Sequence, residues 1–152
     1  MVYKHTWPGT FGFVPVIEDG VFSVEPATQE GYRWRNHLQN RALGDEIILQ
    51  GLIYLPYEKG VVDPQGEIGP ALVISQPFRS GRPATPEAVS TFMEENQFRP
   101  APHRNVWYRE DGVLVADAHF GNFIDIDGRL FPIDLQLNQV PPECFQAVGW
   151  PL

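Results

Sequence analysis

The segment Asp117-Ala118-His119-Phe120-Gly121-Asn122 is polar, yet it follows the apolar run Val113-Leu114-Val115 and leads into two more apolar runs. Those runs, Phe123-Ile124-Asp125-Ile126 and Leu130-Phe131-Pro132-Ile133, flank Asp127-Gly128. That dipeptide favours a two-residue hairpin turn, because both of its positions tolerate positive φ. Asp117 and Asn122 therefore fall in a loop beyond a strand end, and Asp134 closes the returning strand. Strand ends that open into loops are where a rigid scaffold presents reactive groups. Three oxygen-bearing side chains can converge across this one hairpin.

Working upstream, Asn105-Val106-Trp107-Tyr108 and Val113-Leu114-Val115 flank a tight Glu110-Asp111-Gly112 turn and predict another hairpin. Before it, Thr85-Pro86 supplies an N-cap and a first-turn proline, and Ala88, Val89, Phe92 and Met93 recur on one helical face until Pro100. Ala71-Leu72-Val73-Ile74-Ser75 is a continuous apolar run, typical of a strand buried on both faces, and is expected to lie centrally in its sheet. Ile47-Ile48-Leu49 and Leu52-Ile53-Tyr54-Leu55 flank Gly51 and read as strand. Thr28 caps a helix that passes through Tyr32, Arg35 and Leu38 until Gly44 stops it. Val2-Tyr3-Lys4, Phe11-Gly12-Phe13-Val14 and Val21-Phe22-Ser23-Val24 read as strands separated by Pro8-Gly9 and Asp19-Gly20. The 18 residues after Asp134 show little periodicity.

With 152 residues, the chain is long enough for one sizeable core, and a single domain over residues 1–152 is expected. A composition of 43% hydrophobic and 20% charged residues belongs to a folded protein. The formal charge of -8 repels phosphate backbones and anionic lipid, and no basic run offsets it, so neither nucleic acid nor a membrane surface is an expected partner. Cys144 is the single cysteine, which excludes an internal disulfide and, with no zinc-like spacing, fits a reducing cytoplasm. No signal-peptide pattern is visible, and no run approaches the roughly 20 apolar residues that span a bilayer.

The pattern D-x-H-x-G-N, followed by a hairpin and Ile133-Asp134, resembles the catalytic loop and metal-binding aspartate of aminoglycoside and choline kinase-like phosphotransferases. Protein kinases share the D-x-x-x-x-N spacing. The string Asn40 to Asp45, Ser75-Gln76-Pro77-Phe78 with Gly81 and Thr85, and Phe131-Pro132-Ile133-Asp134 resemble the kinase-like domain of polyvalent proteins from phages and mobile elements.

That resemblance implies a minimal α+β fold of the protein kinase type, upper-lobe-like over residues 1–76 and reduced lower-lobe-like over 77–152. It implies ATP and Mg²⁺ as cofactors and an unspecified hydroxyl acceptor. Asp117 would orient the acceptor and take its proton, His119 would brace the loop, and Asn122 and Asp134 would hold the ion. Lys4 would neutralise phosphate with Glu30 as its helix partner, and Ser75 and Gln76 would meet the adenine through backbone groups. Such chemistry is mainly positioning and charge neutralisation.

Departures from the family pattern bear on activity. Nothing before Lys4 forms the glycine-rich strands that cover the phosphates, Val115-Ala116 stands where protein kinases carry His-Arg, and Leu135-Gln136 replaces Phe-Gly. Most lower-lobe helices are also missing. A catalytically inactive, pseudokinase-like binding module, engaging a partner protein, is therefore the alternative, and a metal-dependent hydrolase built on Asp117 and His119 is a third class. Asp125-Ile126-Asp127-Gly128 lacks the further ligands of a calcium loop and reads as a turn. Trp7, Trp34, Trp107 and Trp150 are spread as packing residues, and Cys144 has no neighbouring base.

Overall fold

Local signals of turn and cap are obeyed almost throughout the computed structural model, which describes residues 1–57 and 67–152. Strands β1 (Val2–His5), β2 (Phe13–Glu18) and β3 (Val21–Pro26) precede helix α1 (Gln29–Leu43). The Thr28 hydroxyl accepts from the Gly31 amide at 3.0 Å, and Gly44 ends the helix in the left-handed conformation. Strands β4 (Ile48–Pro56) and β5 (Ile68–Gln76) follow, then the short β6 (Arg82–Pro83) and helix α2 (Pro86–Glu95). Thr85 caps α2, its hydroxyl accepting from Ala88 at 3.1 Å.

The rest comprises β7 (Arg99–Pro100), β8 (Trp107–Tyr108), β9 (Val113–Ala116), a 3-10 turn (Phe120–Asn122), β10 (Phe123–Ile126), β11 (Arg129–Pro132), β12 (Gln136–Gln139) and α3 (Glu143–Ala147). The result is mixed α+β, with antiparallel sheets ordered β1-β5-β4, β12-β9-β8-β7, β11-β10-β6 and β2-β3.

β5 is central in its sheet, with β1 and β4 on either side. α1 covers one face, joining Tyr32 to Ile47, Leu72 and Ile74, with Phe11 packed alongside. β9 is buried on both faces. Val113 and Val115 join Leu135, Leu137, Met93 and Leu38 in one cluster. Leu114 and Ala116 face Ile17, Tyr108, Phe145 and Trp150 in another. Ile17 comes from the β2–β3 hairpin, so this hairpin packs with the second half of the chain although it precedes residue 76 in sequence.

Three expectations change. β2 begins at Phe13, because Gly12 adopts φ +71 and breaks the run, freeing Phe11 to pack under α1. The strand read on both sides of Gly51 is formed as β4, with a bulge between Leu49 and Gly51. Asn105, at φ +59, stays outside β8. The aperiodic C-terminal stretch forms β12 and α3, and Leu135, Leu137 and Phe145 are wholly buried. Among the described residues, no helix is long and apolar enough to cross a membrane.

Candidate active site

Pairing between β9 and β12 fixes where the carboxylates emerge. Ala116 stands opposite Gln136, so Asp117 leaves β9 at the same end of the sheet at which Asp134 approaches β12. The two are tied through Asn122. Its side-chain nitrogen donates to the Asp117 backbone carbonyl at 2.8 Å, and its backbone carbonyl accepts from the Ile133 amide at 3.0 Å. Asp117 has φ +60, a conformation that favours glycine and that other residues retain where the surroundings enforce it.

The 3-10 turn sets the histidine. His119 Nδ1 accepts from the Gly121 amide at 3.1 Å, so it carries no proton in that arrangement and Nε2 does. Nε2 lies 3.6 Å from Asp117 Oδ1, and both side chains are partly exposed.

From the other sheet, Lys4 lies opposite Ile74 on β1, and its Nζ donates to the Ile133 carbonyl at 2.9 Å. Lys4 therefore stands one residue from Asp134. The expected pair between Lys4 and Glu30 is not formed: Glu30 is exposed in the first turn of α1, and no Lys4 ion pair occurs among the described residues. Ser75 and Gln76 are buried. The Ser75 hydroxyl accepts from the Gln50 amide at 2.6 Å, and the Gln76 Oε1 has no partner among the described residues. The Ser75 backbone is flanked by both β1 and β4, whereas Gln76 pairs only with β1.

Helix α1 contributes a residue that sequence reasoning missed. Arg35 is buried, its Nη2 donates to Asp134 Oδ1 at 3.4 Å, and its guanidinium stacks on the Tyr32 ring at 4.8 Å. Burial pushes the Tyr32 hydroxyl above the usual phenol range, with the Arg35 charge and a hydrogen bond with Asn36 acting against that and Asp134 reinforcing it. The available signal was a positive charge at position 35, on the same helical face as Tyr32, Leu38 and Gln39.

Among the described residues, no three His, Cys, Asp or Glu side chains gather into a protein-only metal cage. The donor set does fit an ion shared with phosphates. Asn122 spends its nitrogen on Asp117 and keeps its side-chain oxygen, and Asp134 is 65% exposed. A hollow of about 320 Å³ borders the loop, between His119, Phe120, Trp107 and the start of α2. A larger cleft, about 830 Å³, lies between the end of α1, α2 and the β10–β11 hairpin, and holds none of the expected site residues.

A small α+β chain in which a lysine strand, a helix and a D-x-H-x-G-N loop meet at one aspartate is kinase-like in class. Residues 60–138 match the family described as serine/threonine/tyrosine kinase found in polyvalent proteins. The match spans more than half of the sequence, and the chain belongs to that family. Asp117, His119, Asn122, Asp134, Ser75 and Gln76 lie within the matched span, whereas Lys4, Glu30 and Arg35 lie outside it. Neither the curated proteins nor the solved structures provide a significant match.

Proposed function

We propose that this chain is a kinase-like phosphotransferase that moves the terminal phosphoryl group of ATP, with Mg²⁺, to a hydroxyl acceptor. This function would place it in the wider group of aminoglycoside and choline kinase-like enzymes. The observation that carries the reading is Asn122, which joins the backbone of Asp117 to that of Ile133 and so sets the loop beside Asp134.

In this reading Asp117 accepts the proton of the acceptor hydroxyl as its oxygen attacks the γ-phosphorus and the bond to the β-phosphate oxygen breaks, releasing ADP. The His119 Nε2–H faces Asp117 and orients its carboxylate. Asn122 and Asp134 would hold Mg²⁺, which when bound neutralises phosphate charge. Lys4 would add a second positive charge on the same side, its ammonium now resting on a neutral carbonyl.

A second reading, a nucleotide-binding or partner-binding module without turnover, is favoured by Asp134 being engaged with Arg35. Thermal unfolding with Mg-ATP separates nucleotide binding from its absence, since a ligand at 100 times its Kd stabilises by about 2.7 kcal/mol. Where binding is seen, Asp117→Ala should abolish phosphoryl transfer and keep nucleotide affinity, and Asp134→Ala should weaken metal-dependent binding. The reverse pattern would overturn the roles of both aspartates. Binding without phosphoryl transfer to any hydroxyl tried would leave the binding-module reading.

A further inference from the structure

Arg35 is 7% exposed, and a guanidinium taken out of water requires acceptors for its five N–H donors. Its supply is short. Asp134 Oδ1 lies at 3.4 Å, near the outer limit of a hydrogen bond, and the Tyr32 ring offers a face without a lone pair. Arg35 Nε has no partner among the described residues. A charged group thus keeps a buried donor without an acceptor, which native proteins rarely tolerate unless something else supplies one.

Backbone packs closely against this cation on one side. A Cβ on Gly12 would sit 3.2 Å from Arg35 Nη1, and Gly12 has φ +71, so the backbone comes up to the guanidinium with no side chain between them. The partners also differ in freedom: Arg35 is packed in the helix interface, whereas Asp134 is 65% exposed. Lys4 Nζ, on the carbonyl of the residue before Asp134, brings a second positive charge to the same place. One buried cation is paired with a carboxylate that is free to turn away, and a second cation is anchored at the preceding residue.

We propose that Arg35 is a built-in polyphosphate receptor, held in reserve by Asp134, so that this site takes the phosphates of a nucleotide without a divalent metal ion. Phosphate oxygens supply the acceptors that the Arg35 guanidinium lacks, in the bidentate geometry that favours arginine. Asp134 is then released from Arg35. With Mg²⁺ present the same release follows when Asp134 turns to the ion, so arginine and metal compete for one carboxylate. The inference rests on the nucleotide reading above and adds its charge logic.

The test is calorimetric titration of ATP, and separately of inorganic tripolyphosphate, into the intact chain, once in excess EDTA and once in Mg²⁺. ATP should bind in EDTA, and Arg35→Gln should weaken that binding at least tenfold. Because Arg35 is buried and its replacement could unfold the chain, the decisive variant is Asp134→Asn at an exposed side chain. It should tighten binding severalfold in EDTA and weaken it in Mg²⁺, a reversal of sign that loss of structure does not produce. Binding in Mg²⁺ with none in EDTA overturns the Arg35 receptor and leaves the nucleotide reading intact. Unchanged or weaker EDTA binding in Asp134→Asn also overturns it. No binding of ATP under either condition defeats both.

Discussion

Strands β9 and β5 are both central and both read as unbroken apolar runs, yet they are covered very differently. β9 has a cluster on each face, with Val115 and Leu137 on one side and Leu114 and Phe145 on the other, all wholly buried. β5 has one small cluster, built by Leu72 and Ile74 against α1, and its neighbour β4 leaves Ile48, Leu49, Leu52, Ile53 and Tyr54 exposed. The loop Asp117–Asn122 therefore hangs from the dense half, and Lys4 projects from the thin one. On the proposed reading, the acceptor-side base is thus carried by the more densely packed half and the phosphate-side cation by the thinner one.

The sharpest way to break this comparison is a matched pair of truncations. Leu137→Ala should cost about 4 kcal/mol of folding stability and Leu72→Ala about 2, within the range for buried leucines, because the thin sheet relaxes around the gap. Equal losses in denaturant unfolding would show that the two halves are equally rigid.

A smaller effect is expected at Arg109, which sits where the dense half grips both long helices. It forms two bonds of 2.9 Å to Asp111, reaches the Ala42 and Asn96 carbonyls at 3.4 Å, and stacks on Phe98. Arg109→Ala should cost about 2 kcal/mol by thermal or chemical unfolding. The Arg109 hydrogen bonds hold the Asp111 carboxyl below its usual range, against a smaller opposing effect of burial. A depressed carboxyl favours the fold above its unfolded pKa of about 4, and that contribution is lost as pH falls through the lower folded value. The acid limb of the stability profile should therefore be flatter in Arg109→Ala, and an unchanged limb would count against this pairing.

The smallest effects belong to the caps. Thr85→Ala should cost about 1 kcal/mol and be felt globally, since α2 drives Met93 and Val89 into the dense core. Thr28→Ala should cost no more than that, and show itself mainly as faster amide exchange in the first turns of α1. Global loosening by Thr28→Ala would reverse the ranking of the two halves.

What the sequence disclosed follows the same division between local and distant causes. Caps at Thr28 and Thr85, the Gly44 stop and the Asp127-Gly128 turn act over a few residues and were legible. The Asp117 to Asn122 spacing was legible for the same reason. β12 was not, because Gln136-Leu137-Asn138-Gln139 is too short for alternation to stand out and gains its burial only by pairing with β9. Arg35 was missed because its partner lies 99 positions away, and a contact of that span leaves no periodic trace. The expected Glu30 partnership came from resemblance, and the helix turns a different residue toward the centre.

The bond from Lys4 to the Ile133 carbonyl joins positions 129 apart. Contacts of such separation must wait for the intervening polypeptide to close into a loop, at an entropic cost that nearer contacts do not bear. During synthesis the hairpins and helices have the means to assemble early, whereas this juncture has none until Ile133 has left the ribosome. The proposed nucleotide site is then completed late, and a truncated translation product would be structured in parts and still lack that site.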